Sequence, residues 1–124
     1  MTAERSDFID LTRRNDAFRR ELITGAGSQL VAMTLRPGEE IGEEVHDDVD
    51  QIFLFVAGRC ETVLDGESLP AGPGEVVFVR AGTRHNVVNS GDAPLRLLTI
   101  YAPPEHPPGT VHMTREEAIA AEGH

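Results

Sequence analysis

The stretch GEEIGEEVHDDVDQIFLFVAG, Gly38 to Gly58, decides the reading of this chain. A strand is expected over Glu43–His46. Glu44 and His46 stand two apart on it, so their side chains leave one face, roughly 7 Å apart at the backbone. Two long side chains on one face can converge on a single ion at about 2.0–2.2 Å. Gln51 opens the next expected strand, Ile52–Val56, and Phe53 and Phe55 share its parity. An inward Gln51 therefore brings both rings inward with it. Glu43, Asp47, Asp48 and Asp50 crowd the same stretch, and a charge run is ordinarily a solvated face. If Glu44 points outward, Asp48 or Asp50 is the next candidate carboxylate.

A second stretch, GEVVFVRAGTRHNVVN from Gly74 to Asn89, complements the first. It places His85 just after Ala81-Gly82-Thr83-Arg84, where a strand returns. Further strands are expected at Gln29–Leu35, Cys60–Leu64, Val76–Arg80, Asn86–Val88 and Leu95–Ala102, from apolar alternation and β-branched content. Turn residues separate them: Arg36-Pro37-Gly38, Asp65-Gly66, Pro70 to Gly74, Ala81-Gly82 and Ser90-Gly91-Asp92. Asp65-Gly66 reads as a tight hairpin. Many short strands with Gly/Pro turns make an all-β sandwich or closed barrel, and closure removes exposed edges.

The two stretches resemble the paired motifs of the cupin family. The first family motif runs Gly, five residues, His-x-His, three or four residues, Glu, six residues, Gly. This chain has Gly38, five residues, Glu44-Val45-His46, four residues, Gln51, six residues, Gly58. The second runs Gly, five residues, Pro-x-Gly, two residues, His, three residues, Asn. Here it is Gly74, five residues, Arg80-Ala81-Gly82, two residues, His85, three residues, Asn89. The resemblance implies a cupin double-stranded β-helix, a jelly-roll-like barrel, with a short C-terminal helix. It carries the metal positions onto Glu44, His46, Gln51 and His85. Three positions depart from the pattern: Glu44 replaces a His, Gln51 replaces the Glu and Arg80 replaces the Pro. Arg80 concerns only the turn. The other two exchanges leave one carboxylate, two imidazoles and an amide oxygen, a set suited to a divalent transition metal (Mn, Fe, Ni or Zn).

A pocket bordered by Phe53, Phe55 and Val87 beside such a metal suits a small-molecule ligand bound through oxygen: an organic acid, keto compound or sugar derivative. Tyr101 shares its strand parity with Thr99, and an inward pair offers a phenol as proton donor. The family spans enzymes (dioxygenase, isomerase, decarboxylase and lyase types) and non-catalytic binding modules, so the fold does not name a reaction. An enzyme, a binding module and a barrel that has lost its metal all stay open.

The 124 residues fit one domain, with the barrel core at about 28–103, an N-terminal arm over 1–27 and a tail over 104–124. A net charge of −10, with all 11 basic residues Arg, argues against nucleic acid as a partner. No signal peptide or membrane span is expected, and a cytoplasmic location follows from that reading. Cys60, the single cysteine, rules out an intrachain disulfide and reads as a small buried hydrophobe. The arm, with Glu21-Leu22-Ile23 as an edge strand, suggests a homodimer by strand exchange, as the family resemblance implies. Residues 103–109, rich in Pro, form an extended connector flanked by His106 and His112, both expected as solvated tail residues. Thr114-Arg115-Glu116-Glu117 matches a capping box opening a short helix.

Overall fold

The computed structural model describes residues 5–122. Nine strands and two helices follow one another as α1 (Phe8–Arg13), β1 (Arg19–Thr24), β2 (Gln29–Leu35), β3 (Asp50–Ala57), β4 (Cys60–Leu64), β5 (Glu67–Ala71), β6 (Val76–Val79), β7 (His85–Val88), β8 (Leu95–Ala102), β9 (Val111–His112) and α2 (Arg115–Glu122). The strands make a six-stranded sheet, β6-β3-β8-β2-β1-β9, facing a three-stranded sheet, β5-β4-β7. Every pairing is antiparallel. Expected strand bounds hold for β2, β4 and β8 and move by one or two residues for β3, β6 and β7.

The alternation read in β3 appears in its burial: Gln51, Phe53 and Phe55 are each 1% exposed, while their neighbours are only half-buried. Between the sheets they meet Val31, Met33, Leu35, Val79, Val87, Leu95 and Leu97, a continuous apolar core. Burying such side chains at roughly 25 cal/mol per Å² of apolar surface is the main force closing the barrel. Cys60 lies in that core at 2% exposure, and burial pushes its thiol up to about 11, so it stays protonated and inert.

The strand expected over Glu43–His46 does not form as such. That segment makes isolated bridges, Glu40↔Val88 and Glu44↔His85. Gly42, at φ +110, breaks the extended run between them. The segment still lies along β7, where Glu44 and His85 exchange two backbone hydrogen bonds of 2.9 Å each.

The arm does more than the expected edge strand. Phe18 enters the core, and β1 pairs with β2 on one side and with β9 of the same chain on the other. The helix α1 packs over β8, β3 and β2. Asp7 caps it by accepting the Asp10 amide at 2.9 Å. The capping box forms as read: Thr114 Oγ1 accepts the Glu117 amide at 3.1 Å, and Glu117 accepts the amides of Met113 and Thr114. Ala118 of α2 is 2% exposed, sealed into the barrel. No helix among the described residues is long and apolar enough to cross a membrane.

Candidate functional site

Polar side chains inside the barrel gather at one end. Gln51, Tyr101 and Gln29 form a cross-strand row over β3, β8 and β2. The next row holds Phe53, Thr99 and Val31, and the one below it Phe55, Leu97 and Met33. The interior thus passes from polar to apolar along the barrel, so Phe53, Phe55 and Val87 form the floor and wall beneath the polar end.

The four positions proposed for a metal come together here in two pairs. His46 Nε2 lies 3.2 Å from Glu44 Oε2. His85 Nε2 lies 3.0 Å from Gln51 Oε1. The two imidazole centroids are 5.5 Å apart, and the Phe53 ring stands 6.1 Å from His85. Glu44 points inward as the first choice of carboxylate required, whereas Asp50 turns to accept the Ala81 amide at 2.9 Å. Two backbone ties aim the pairs: the Glu44–His85 bridge, and the Gly82 amide donating to the His46 carbonyl at 2.8 Å. Among the described residues no three His, Cys, Asp or Glu side chains form a metal-holding group. Gln51 occupies one of the positions, and Glu44 is drawn onto His46.

Burial works to raise the Glu44 carboxyl. The hydrogen bond with His46 and the charges of His46, Arg19 and His85 outweigh it and hold the group below the ordinary carboxylate range. The same hydrogen bond lifts the His46 imidazole above its ordinary value against the opposing effect of burial, helped by the nearby charges of Glu44, Glu105 and Glu122. Tyr101 is 3% exposed, and burial pushes its phenol up, so it keeps its proton.

The structure corrects the reading of His106 and His112 as solvated tail residues. His106 folds over the barrel end with Nε2 3.4 Å from the Tyr101 hydroxyl and the two rings edge-on at 5.1 Å. Buried Gln29 holds it there. Its amide nitrogen donates to the His106 carbonyl at 2.6 Å, and its oxygen accepts the amides of Glu105 and His106. Burial then pushes the His106 imidazole down to about 4. His112 sits on β9, its Nδ1 3.3 Å from Arg19 Nη1. A cavity of about 390 Å³ opens between the tail and the barrel, lined by Glu44, Glu105, His106, His112 and Glu122 among others.

Arg19, Gln29, Glu105 and Glu122 belong to this end of the barrel without any sequence motif to announce them. Arg19 is 2% exposed, and its Nε is a buried donor with no acceptor among the described residues. A buried donor left so costs roughly 1–3 kcal/mol, and more when charged.

A small antiparallel barrel with two short spaced motifs and a polar end built of imidazoles, a carboxylate and amides defines the class of β-barrel domains with a polar interior site at one end. The cupin domain family model matches residues 31–101, and the chain belongs to that family. It is 44% identical over 118 residues to the Bacillus subtilis protein YrkC, covering 90% of this chain but 63% of that relative's length. It is 30% identical over 113 residues to the polyketide synthase CurC of Streptomyces cyaneus, covering 87% of this chain and 73% of CurC. The crystal structure of a Bacillus halodurans protein, 39% identical, superposes with a TM-score of 0.93 over 94% of this chain and 93% of that one.

Proposed function

We propose that this chain is a metal-binding cupin that takes a small, oxygen-rich organic molecule at the polar end of its barrel. The convergence of Glu44, His46, Gln51 and His85 at the polar end of the barrel carries the reading. His85 Nδ1 lies 2.9 Å from the Thr83 carbonyl, which can only accept, so Nδ1 bears the hydrogen. The Gln51 carboxamide spans from Thr99 Oγ1, 3.1 Å from its nitrogen, to His85 Nε2, 3.0 Å from its oxygen, so the amide and the ring are turned toward each other at the polar end. An imidazole held by a backbone carbonyl through its far nitrogen is also how proteins aim histidine at a metal.

The donor set fits a divalent transition metal: His46 and His85 supply nitrogen, Glu44 a carboxylate and Gln51 an amide oxygen. Donors bound to one ion at about 2.0–2.2 Å stand about 2.8–3.6 Å from one another, from octahedral to tetrahedral angles, and the two pairs, at 3.2 and 3.0 Å, fall within that range. When bound, such a metal supplies Lewis acidity toward an oxygen ligand. The chain's own residues do the rest. Phe53 and the residues beneath it exclude water, Gln29 holds the tail across the opening, and Tyr101 keeps a phenolic proton for donation. The name of CurC, a polyketide synthase, fits an oxygen-rich ligand.

Elemental analysis of protein purified without chelator tests the reading. We expect bound Mn, Fe, Ni or Zn in the wild type, and His46→Ala and His85→Ala each to weaken metal binding by at least roughly 10–100-fold, the cost of losing even an outer partner. Full metal content in both variants overturns it. A substrate panel under air and under nitrogen then separates redox catalysis, non-redox catalysis and binding alone.

A further inference from the structure

Arg19 stands on β1, three strands along the large sheet from the β3 that carries Gln51, and its charge acts on Glu44. It pairs with Met33 of β2 on one side and with His112 of β9 on the other, and so shares the inward face with Met33, which is fully buried. Its side chain is 3% exposed. A guanidinium has five N–H donors in a rigid fork, shaped to meet a carboxylate with two parallel bonds. Here Nη1 alone is engaged, with His112 Nδ1 at 3.3 Å and Glu122 Oε1 at 3.2 Å, and buried Nε has no acceptor among the described residues. Phe18 lies under the cation at 5.6 Å and satisfies no donor. Glu122 comes from the last residue of α2, its side chain 54% exposed, and makes a single contact. His112 and Glu122 both line the cavity that reaches Glu44.

We propose that Arg19 anchors a carboxylate of the ligand, and that Glu122 holds that place until the ligand arrives. A half-exposed glutamate meeting a buried arginine through one oxygen is a replaceable partner, because most of its charge remains in water. A ligand carboxylate that also reached Nε would satisfy the fork in a way Glu122 does not. The exchange keeps the charge on Arg19 balanced and leaves the number of carboxylates beside Glu44 and Glu105 unchanged. The ligand is then a small organic acid with its carboxylate on Arg19. The assignment deepens the metal-site reading, on which it rests for the ligand's other end.

The test compares succinate with succinamide, which replaces both carboxylates by neutral amides of the same size. Calorimetric titrations are run with and without Mn²⁺, and metal content is measured separately. We expect the wild type titrated without Mn²⁺ to prefer succinate by roughly tenfold or more, Arg19→Gln to lose that preference with metal content unchanged, and Glu122→Gln to bind succinate several-fold tighter. Arg19→Gln retaining the preference overturns the proposal, as does wild-type protein that binds succinate in neither form or without preference. Should Arg19→Gln lose its circular-dichroism signature of folding, Glu122→Gln decides: tighter succinate binding supports the anchor, and unchanged or weaker binding refutes it. A preference that persists in protein unable to take up metal keeps the anchor and removes the metal site. Metal uptake without the preference does the reverse.

Discussion

Gln51 is the residue at which the sequence and the structure meet most closely. Its spacing from His46 marks it as a ligand position, and its parity with Phe53 and Phe55 puts it inside, where it is 1% exposed. The sequence does not show which way its amide faces. Thr99, one strand away, can donate or accept, so the facing of the amide follows from what His85 Nε2 offers it, and the Thr83 carbonyl orients that ring. If Oε1 is a ligand atom, a negative oxygen in its place binds a cation more strongly. Gln51→Glu is therefore expected to hold Mn²⁺ tighter by roughly tenfold or more, about 1.4 kcal/mol. Competition against a chelator reads the change, and equal or weaker retention argues that Gln51 touches no metal. Arg19 shows the opposite limit. Nothing in its neighbourhood of Phe18, Arg20 and Glu21 distinguishes a buried guanidinium from a solvated one; β9 and α2, nearly a hundred residues later, bury it.

Elements were legible where a turn residue or an alternation fixed them and obscure where only tertiary packing did. The six residues of α1 are too few to show helical periodicity, and the helix exists because it covers the outer face of the large sheet. The two residues of β9 are a strand only through their pairing with Arg19 and Arg20. The motif residues, by contrast, have mechanical reasons. Asn89 is 1% exposed and ties the end of β2 to the β7–β8 turn: its amide nitrogen donates to the carbonyls of Leu35 and Ala93, and its oxygen accepts the Gly91 amide. Gly58 turns β3 into β4 at φ +85, and a Cβ there would stand 2.6 Å from the Pro94 carbonyl oxygen. Gly74 has the same φ with nothing within 4 Å. Gly58→Ala therefore combines backbone strain with a clash against main chain, about 2–4 kcal/mol of lost stability. Gly74→Ala meets only the strain, about 1–2 kcal/mol. Thermal unfolding of the two variants separates the terms, and equal losses would falsify the clash.

At the scale of the whole molecule, the barrel was readable because spacing within two motifs sets register, and register decides which side chains face inward. The tail was not. Its return over the barrel end depends on Gln29, a polar residue on a β-strand that looked like any other alternating position. That return has a consequence for stability. His106 is held neutral by burial, its folded value about 4 against an ordinary 6.5. Between those values the unfolded chain takes up a proton that the folded chain refuses, so this contribution is complete above pH 6.5 and is lost as pH falls toward 4. Two neighbours act at the edges of that window in metal-free protein. His46, raised by Glu44, gives stability that is fully present below its ordinary 6.5 and fades as pH rises through its folded value. Glu44, held below its ordinary 4.5, loses its contribution only as pH falls beneath that value. The slope below pH 6.5 and above 4.5 therefore belongs to His106 in this group. With chelator present, the melting temperature of the wild type is expected to fall between about pH 6 and pH 5. His106→Gln, which keeps a polar contact for the Tyr101 hydroxyl and cannot titrate, should fall by several degrees less over the same interval. Equal falls in the two proteins would show that the tail stays protonated in the folded chain and is open to water rather than sealed over the site.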